Sequence, residues 1–267
     1  MDILVILTNW CREENLPRII EAFRSQTVKV RMVLIDNSPR GMDQPPGIEM
    51  WRVPRNLGPP CRFVPALAEI EASHILFYDD DLLPGPRAVE WLVECSNSLG
   101  GKYATIGQIG RRFVSRRNGR IIRYRRLNVP RFQWGFCNPV DMTCRAHFVQ
   151  RKHLHHLVAF RELILAKFPE AEEAVGIHDD MLLCLGIQKA TGYPSYLTAY
   201  RGREWDLRCA ELPDAGSLNQ TRATHMQERH NICHWARSVG WQSVWREPYA
   251  EICSRMLDHQ TQEIVEP

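Results

Sequence analysis

Short apolar runs alternate with helical spacing along the first hundred residues. The run Ile3–Leu7 is rich in β-branched residues and predicts a buried strand. Apolar residues then recur three and four positions apart, which predicts one amphipathic helix that begins near Asn15 or Leu16. The residues of its apolar face are Leu16, Ile19, Ile20 and Phe23.

The same alternation continues and predicts an α/β fold with a parallel sheet. Strands are predicted at Arg31–Ile35 and His74–Tyr78, with a further short strand at Glu49–Val53. Helices are predicted at residues 62–72 and 84–98. Parallel strands joined by right-handed crossovers end at one sheet edge, where ligands bind in open α/β sheets. Asp36 and the triplet Asp79–Asp81 follow two of these strands, so we expect them at that edge.

The second half is less regular. Strands are predicted at residues 103–109 and 120–124 around an Asn-Gly turn, helices at 145–168 and 179–190, and a last strand at 194–200. No repeat or linker interrupts the chain, which predicts a single domain over residues 1–267. Residues 1–101 would form its first half, and residues 102–267 an embellished second half with a C-terminal extension.

Composition narrows the class of protein. Of 267 residues, 44% are hydrophobic and 24% are charged, which is typical of globular proteins and argues against disorder. No apolar run approaches the ~20 residues of a membrane-spanning helix, and no basic segment precedes an apolar one at the N-terminus. Nine cysteines without a C-x-x-C pair predict reduced thiols. These features together predict a cytoplasmic protein.

Charge is concentrated in one window. Residues 95–140 hold ten of the 34 basic residues and no acid, which leaves 24 basic and 31 acidic residues elsewhere. Eight arginines lie within Arg111–Arg126, a predicted hairpin with interleaved apolar and aromatic residues. It is either a solvated hairpin or a surface for a polyanionic acceptor, such as a nucleic acid or an anionic glycan. The candidate acceptor-binding residues are Arg112, Arg117, Arg123 and Trp134.

Three consecutive carboxylates after a buried strand form the central chemical signal. Asp79, Asp80 and Asp81 repel one another unless a cation neutralises them, and Mg²⁺ or Mn²⁺ prefers oxygen ligands. Side chains two apart in an extended segment point the same way, so Asp79 and Asp81 can face one ion. The alternative is an acidic turn at the start of the next helix.

Several short motifs occur in an order that resembles the nucleotide-sugar glycosyltransferases of the GT-A fold, most closely the broad family 2 group. They are Thr8-Asn9 after the first strand, Val33–Ser38, Arg55–Gly58 and Phe77–Leu82. A later acidic pair within His178–Leu183 resembles the pair that ends the catalytic half of such enzymes. One departure is Asp36-Asn37-Ser38-Pro39, where the family usually has two acidic residues followed by Gly-Ser.

The resemblance implies a fold and an activity. The fold is a GT-A-type, mostly parallel twisted sheet flanked by helices. The implied activity is metal-dependent transfer of a hexosyl or pentosyl group from a nucleotide diphosphate sugar, expected to be UDP-linked, to an acceptor hydroxyl.

The resemblance also implies roles for individual residues. Asp180 would be the general base and Asp179 its neighbour, although both could simply cap a helix. Asp79 and Asp81 would hold Mn²⁺ or Mg²⁺, with His225 as a candidate third ligand. The donor would contact Thr8, Asn9, Asp36 and Asp80. Apart from the resemblance, Arg229 is a candidate to bind the diphosphate of the donor.

Two other functions remain open from the sequence. A nucleotidyltransferase also combines an α/β sheet with metal-binding carboxylates, but it should carry a glycine-rich loop where this chain has Thr8–Arg12. A non-catalytic nucleic-acid-binding protein would use the arginine hairpin and show steeply salt-dependent binding. It would leave Asp79–Asp81 without a purpose.

Overall fold

The structure is a computed structural model that describes residues 1–53, 56–115, 121–128, 138–198, 209–213 and 221–243. Its main sheet has eight strands in the order β3-β2-β1-β4-β11-β6-β12-β9. These strands are β1 Ile3–Asn9, β2 Arg31–Asp36, β3 Glu49–Arg52, β4 His74–Asp79, β6 Ile106–Gly107, β9 Asn138–Val140, β11 Ala146–Gln150 and β12 Ser195–Leu197.

Two smaller sheets complete the strands of the described part of the chain. One is the antiparallel set β10-β7-β8, and the other pairs β13 with β5. Their bounds are β5 Leu82–Leu83, β7 Ile109–Ser115, β8 Ile121–Asn128, β10 Met142–Cys144 and β13 Ala210–Glu211. The described part of the predicted arginine-rich hairpin is the antiparallel pair β7–β8, and its predicted turn lies outside the described residues. The strand predicted at residues 103–109 is different in the structure: only 106–107 form β6, and the partner of β8 begins at Ile109.

Helices cover the main sheet. They are α1 Leu16–Arg24, α2 Phe63–Ala68, α3 Ala88–Ser98, α4 His155–Lys167, α5 Glu172–Val175, α6 Asp179–Thr191 and α7 His225–Ser238. Two apolar clusters contain residues of the main sheet, one with α1 and α3 and the other with α2, α4 and α6. A third cluster joins α4 and α6 to α7. No described helix has the length and apolarity needed to cross a bilayer.

The strand register explains how the functional edge forms. β3, β2, β1 and β4 are parallel neighbours, so their carboxyl ends lie together. Thr8 pairs with Asp79 across β1 and β4, and Asn9 pairs with Asp36 across β1 and β2. The predicted α/β class, a mostly parallel sheet flanked by helices, is confirmed. The single-domain organisation and the cytoplasmic location stay predictions.

Two predicted helices differ from the structure. Residues 146–150 form β11 instead of the start of a helix; all five are buried, and they pair antiparallel with β4. A strand buried on both faces lacks the alternation that would distinguish it from a helix. The helix predicted at 62–72 ends at Ala68, because the carboxylate of Glu69 accepts hydrogen bonds from the backbone N–H groups of Glu71 and Ala72.

Candidate functional site

A cleft of about 530 Å³ opens beside the carboxyl ends of β1 and β4. Its charged lining comes from both halves of the chain. The acidic residues are Asp79, Asp80, Asp81, Asp179 and Asp180, and the basic ones are Arg12, Arg62, Arg111, Arg145, Arg222 and Arg229. The two acidic motifs predicted from the sequence therefore meet in one cavity, with a similar number of guanidinium groups.

Arg62 joins the two acidic motifs. Its Nη1 donates to Oδ1 of Asp79 at 2.7 Å, and its Nε donates to Oδ2 of Asp179 at 2.5 Å. Arg62 lies at the start of α2 and is buried. Burial disfavours its charge, but the two carboxylates outweigh this and raise the pKa of Arg62. This ion-paired bridge fixes the separation of the first and second acidic motifs.

Each remaining member of the triplet also faces a guanidinium group. Asp80 is ion-paired with Arg12 and accepts from the backbone N–H of Trp10 at 2.7 Å. Burial still raises the pKa of Asp80 to about 6, against the opposing effect of Arg12. Nε of Arg145 lies 3.7 Å from Oδ2 of Asp81. Arginines thus provide the positive charge that three adjacent carboxylates need.

Left-handed backbone occurs just after β1 and just before β11, the two strands that flank β4 and its acidic triplet. Among the described residues, Cys11 and Arg145 are the two non-glycine residues with a left-handed backbone, at φ of 59° and 63°. The carbonyl of Arg145 accepts from the backbone N–H of Asp79 at 2.9 Å. Left-handed backbone costs about 1–3 kcal/mol outside glycine and concentrates at functional sites. Its position here supports a functional role for the cleft.

Asp179 and Asp180 occupy the first turn of α6, where the helix dipole favours negative charge. Burial raises the pKa of Asp179, and Arg62 does not reverse this. Burial also acts on Asp180, but its ion pair with Arg229 outweighs it and lowers the pKa of Asp180. Asp180 is the more exposed of the two side chains, at 16% against 5%. Asp180 is therefore ionised at neutral pH and reachable from the cleft.

A hydrogen-bonded chain from α7 orients Asp180. Nε2 of His178 lies 3.0 Å from Oε2 of Glu228, and Nδ1 of His178 lies 3.3 Å from Nη1 of Arg229. A carboxylate only accepts and a guanidinium only donates, so His178 carries its proton on Nε2. Arg222 donates to both carboxylate oxygens of Glu228, at 2.7–2.9 Å. The result is a continuous series from Arg222 through Glu228, His178 and Arg229 to Asp180.

The residues predicted to hold a metal line this cleft, but they do not form a complete ligand set by themselves. No group of three His, Cys, Asp or Glu side chains is placed to hold an ion within the described ranges. Asp79 keeps 30% of its side chain exposed, and with Asp81 it offers hard oxygen ligands. Mg²⁺ and Mn²⁺ often use one or two carboxylates together with substrate phosphates. The pair therefore fits an ion that binds together with a diphosphate.

His225, the candidate third ligand, also lines the cleft. Its ring lies 4.8 Å from that of His178, and its Nδ1 has no hydrogen-bond partner among the described residues. Burial, with the nearby charge of Arg229, lowers the pKa of His225 to about 4. A neutral imidazole with a lone pair is the form that binds metals. His225 thus stays a candidate ligand.

The residues predicted to contact the nucleotide divide into two groups. Thr8 lines the cleft, and its hydroxyl has no hydrogen-bond partner in the described part of the chain. Asn9 and Asp36 are fully buried and do not line the cleft. The carboxylate of Asp36 accepts from the side chains of Asn9, Ser38 and Arg52 and from the backbone of Ser38 and Met42.

Burial alone would raise the pKa of Asp36, but the hydrogen bonds that its carboxylate accepts outweigh burial and lower the pKa. The geometry gives Asn9 and Asp36 a bracing role at the ends of β1 and β2. Their predicted contact with a base or ribose is not supported.

The predicted acceptor-binding residues are only partly visible. The backbones of Arg112 and Arg123 lie in β7 and β8, whereas Arg117 and Trp134 fall outside the described residues. Arg111, at the start of the same window, lines the cleft. The basic window therefore reaches the cavity through at least one arginine.

Sequence reasoning missed several cleft residues. The lining residues that were not predicted as site residues are Arg12, Arg62, Arg145, His147, His178 and Arg222. Glu228, which contacts His178 and Arg222 behind the cleft, was not predicted either. His178 directly precedes the acidic pair, and Arg62 begins a predicted helix just after the Arg55–Gly58 motif, so both positions carried a weak signal. The others come from segments that only the folded chain brings together.

Comparisons with known proteins give structural similarity at low identity. A crystal structure of S. aureus TarS aligns with a TM-score of 0.49 and 13% identity, over 75% of this chain and 36% of that chain. A crystal structure of S. aureus TarS 1–349 in complex with UDP aligns with a TM-score of 0.43 and 13% identity, over 76% and 59% of the two chains. The chain thus spans less than two thirds of either structure. No family model and no curated protein matches the sequence.

Proposed function

We propose that this protein transfers a sugar from a nucleotide diphosphate sugar, with UDP as the preferred nucleotide, to an acceptor hydroxyl. The observation that carries the proposal is the meeting of the triplet Asp79–Asp81 with the pair Asp179–Asp180 in one arginine-lined cleft at the carboxyl ends of parallel strands. The order of sequence motifs, which resembles family 2 glycosyltransferases, supports the same reading.

Asp180 is the proposed general base. Its carboxylate takes the proton of the acceptor hydroxyl while the acceptor oxygen attacks the anomeric carbon and the bond to the diphosphate breaks. Arg229 keeps Asp180 ionised, and the series from Glu228 through His178 holds Arg229 in place. Asp179 is turned to Arg62 and supports the geometry of the pair.

The leaving diphosphate needs positive charge. Arg145 and Arg229 line the cleft and can supply part of it, because guanidinium groups bind phosphate oxygens well. Mn²⁺ or Mg²⁺ is the proposed cofactor and would neutralise the diphosphate when bound to Asp79 and Asp81. His225 lines the same cleft but does not form one ligand group with these carboxylates in the described structure, so it would have to move to act as the proposed third ligand.

The acceptor is proposed to be anionic, because β7 and β8 carry the basic window beside the cleft. The residues proposed to bind it remain Arg112, Arg117, Arg123 and Trp134. Transfer rates that fall steeply with salt would support an anionic acceptor. Rates that are independent of salt would contradict it.

The test is a thermal-shift series with UDP and UDP-sugars, each with Mn²⁺ and with EDTA. A ligand at a hundredfold excess over its Kd should stabilise the fold by about 2.7 kcal/mol. We expect Asp81→Ala to lose the Mn²⁺-dependent part of the shift. A full Mn²⁺-dependent shift in this variant would contradict the metal assignment.

Measurement of turnover tests whether Asp180 is the general base. Asp180→Asn should keep donor binding and lose about 10²–10⁴-fold in the rate of UDP release. Glu162→Gln is the matched control, since this exposed carboxylate pairs only with the neighbouring Arg161 in the described structure. Unchanged turnover in Asp180→Asn would remove Asp180 from the mechanism, and no binding of any nucleotide would refute the proposed function.

A further inference from the structure

His147 is a cleft residue to which the proposed chemistry gives no role. It lies on β11 opposite Phe77 of β4, two positions before the acidic triplet, and it lines the cavity while only 1% of its surface is exposed. Its Nε2 is buried and has no hydrogen-bond partner among the described residues. A buried polar atom without a partner is unfavourable, so a ligand group that pairs with Nε2 of His147 would be stabilised there.

A buried chain of hydrogen bonds behind His147 determines whether its Nε2 donates or accepts a hydrogen bond. The chain starts at Trp241, whose indole Nε1–H donates to Oε1 of Gln188 at 2.9 Å. An indole can only donate, so this contact fixes the orientation of the Gln188 amide. The Nε2 group of Gln188 then donates to the backbone oxygen of Asp141 at 2.6 Å and to Oγ of Ser195 at 3.0 Å.

The hydroxyl groups of Ser195, Thr105 and Thr143 continue this row toward the cleft, and the contact between Thr105 and Ser195 sets the direction of their bonds. The hydroxyl of Thr105 donates to Ser195 at 2.8 Å, which uses its only proton. Thr105 has no proton left for Thr143, so Thr143 donates at the 2.9 Å contact between them. The other group within reach of both hydroxyls is the thiol of Cys184, 3.3 Å from Thr105 and 3.7 Å from Thr143. The proton of Thr143 is then also committed, so its oxygen accepts at the 2.7 Å contact with Nδ1 of His147.

His147 consequently carries its proton on Nδ1 and presents a lone pair at Nε2. Burial, together with the nearby guanidinium of Arg62, lowers the pKa of His147 to about 3, which keeps the ring neutral. Nε2 is then a hydrogen-bond acceptor and cannot donate. An ionised diphosphate has no proton to offer it, whereas a sugar hydroxyl does.

The charged groups near His147 indicate which part of a substrate would reach it. Arg62, Asp180 and Arg229 all act on its ring electrostatically. Asp180 is the proposed base, Arg229 is paired with it, and Arg62 is paired with its neighbour Asp179. A ligand group at Nε2 would therefore lie near the proposed base.

We propose that Nε2 of His147 accepts a hydrogen bond from a hydroxyl of the donor sugar and so helps to select the sugar. This inference rests on the proposed function. His147 would contact the substrate without exchanging a proton with it. Removing the acceptor should weaken binding of the nucleotide sugar and leave binding of the bare nucleotide unchanged.

The test is calorimetric titration of UDP, UDP-glucose, UDP-galactose and UDP-N-acetylglucosamine into the full chain. For the sugar with the largest gain over UDP, His147→Leu should weaken binding about three- to tenfold, as expected for one neutral hydrogen bond, with the UDP Kd unchanged. His147→Gln should recover part of the loss, because its amide oxygen can replace Nε2. His153→Leu is the matched control, since His153 also has an unpartnered Nε2 in the described structure but does not line the cleft.

The outcomes separate the two proposals. If no nucleotide binds to the unmodified protein, the proposed function fails and this inference fails with it. If nucleotide sugars bind but His147→Leu weakens them no more than it weakens UDP, only the inference is wrong. ¹⁵N NMR of the ligand-free protein at pH 7 gives a check that needs no variant: His147 should show the Nδ1–H tautomer, and the Nε2–H tautomer would overturn the inference.

Discussion

The Arg62 bridge gives the most direct test of how the cleft is held together. Arg62→Met removes a buried guanidinium that satisfies both Asp79 and Asp179 while keeping much of the side-chain length. Breaking a buried ion pair on one side leaves an uncompensated charge and costs about 3–5 kcal/mol. We expect a loss of unfolding free energy in this range at pH 7, which is a large part of the 5–15 kcal/mol that typically stabilises a protein.

A double-mutant cycle separates the ion pair from general packing. In the background of Asp179→Asn, the buried charge at position 179 is already gone, so Arg62→Met should cost at least about 1.5 kcal/mol less than it does alone. The free energies come from urea unfolding curves, provided that the slope of each curve is the same in all four proteins. The cost should also shrink toward pH 4, because the stranded carboxylates can then take up protons.

The matched control is Arg161→Met, which breaks the exposed pair between Arg161 and Glu162. Exposed pairs contribute about 0–1 kcal/mol, so its effect should be small. If Arg62→Met costs no more than this control, or if its effect simply adds to that of Asp179→Asn, Arg62 does not couple the two acidic motifs.

Three further predictions concern stability. Gly107→Ala should cost about 1–3 kcal/mol in urea unfolding, because its Cβ would lie 2.7 Å from the carbonyl of Ala146; a neutral effect would contradict the close approach. Lowering the pH from 7 to 5 should reduce the free energy of unfolding by about 2 kcal/mol through the titration of His147 alone. Its pKa is about 3 when folded and near 6.5 when unfolded, so only the unfolded chain binds the proton in this window, and His147→Gln should abolish this part of the acid sensitivity. Glu228→Gln should cost about 1.5–3 kcal/mol, whereas Glu173→Gln, which alters an exposed partner of the same Arg222, should cost under about 1 kcal/mol; equal losses would argue against the buried series.

The first hundred residues were predictable because their pattern is local. Ile3–Leu7, Arg31–Ile35 and His74–Tyr78 are apolar runs bounded by polar residues, and each is a strand of the main sheet. α1 begins at Leu16, as its Pro17 and apolar spacing predicted. The placement of Thr8 and Asp79 at one edge follows from parallel pairing alone.

The second half was harder because tertiary contacts override its local signals. The sequence of β11 predicts a helix because all of its residues are buried and apolar and polar positions do not alternate. The sequence of α7 shows no clear apolar stripe. Four arginines of the cleft, Arg12, Arg62, Arg145 and Arg222, were not predicted for a related reason. Arg62 and Asp179 are 117 positions apart, so their pairing depends on how α2 and α6 pack. The role predicted for Asp36 was not supported because nearby loop residues occupy its oxygens, a local detail that a motif does not encode.

The buried row of hydroxyls behind the cleft has a consequence for how the protein could change in evolution. Thr105 donates its proton to Ser195, away from the cavity, and its oxygen also lies 3.3 Å from Sγ of Cys184. Replacing that serine with alanine would free the proton to point the other way, and each downstream bond could reverse in turn. The imidazole would then offer a proton where it now offers a lone pair. Preference for a different ligand could thus arise from a single substitution at a position that no ligand touches.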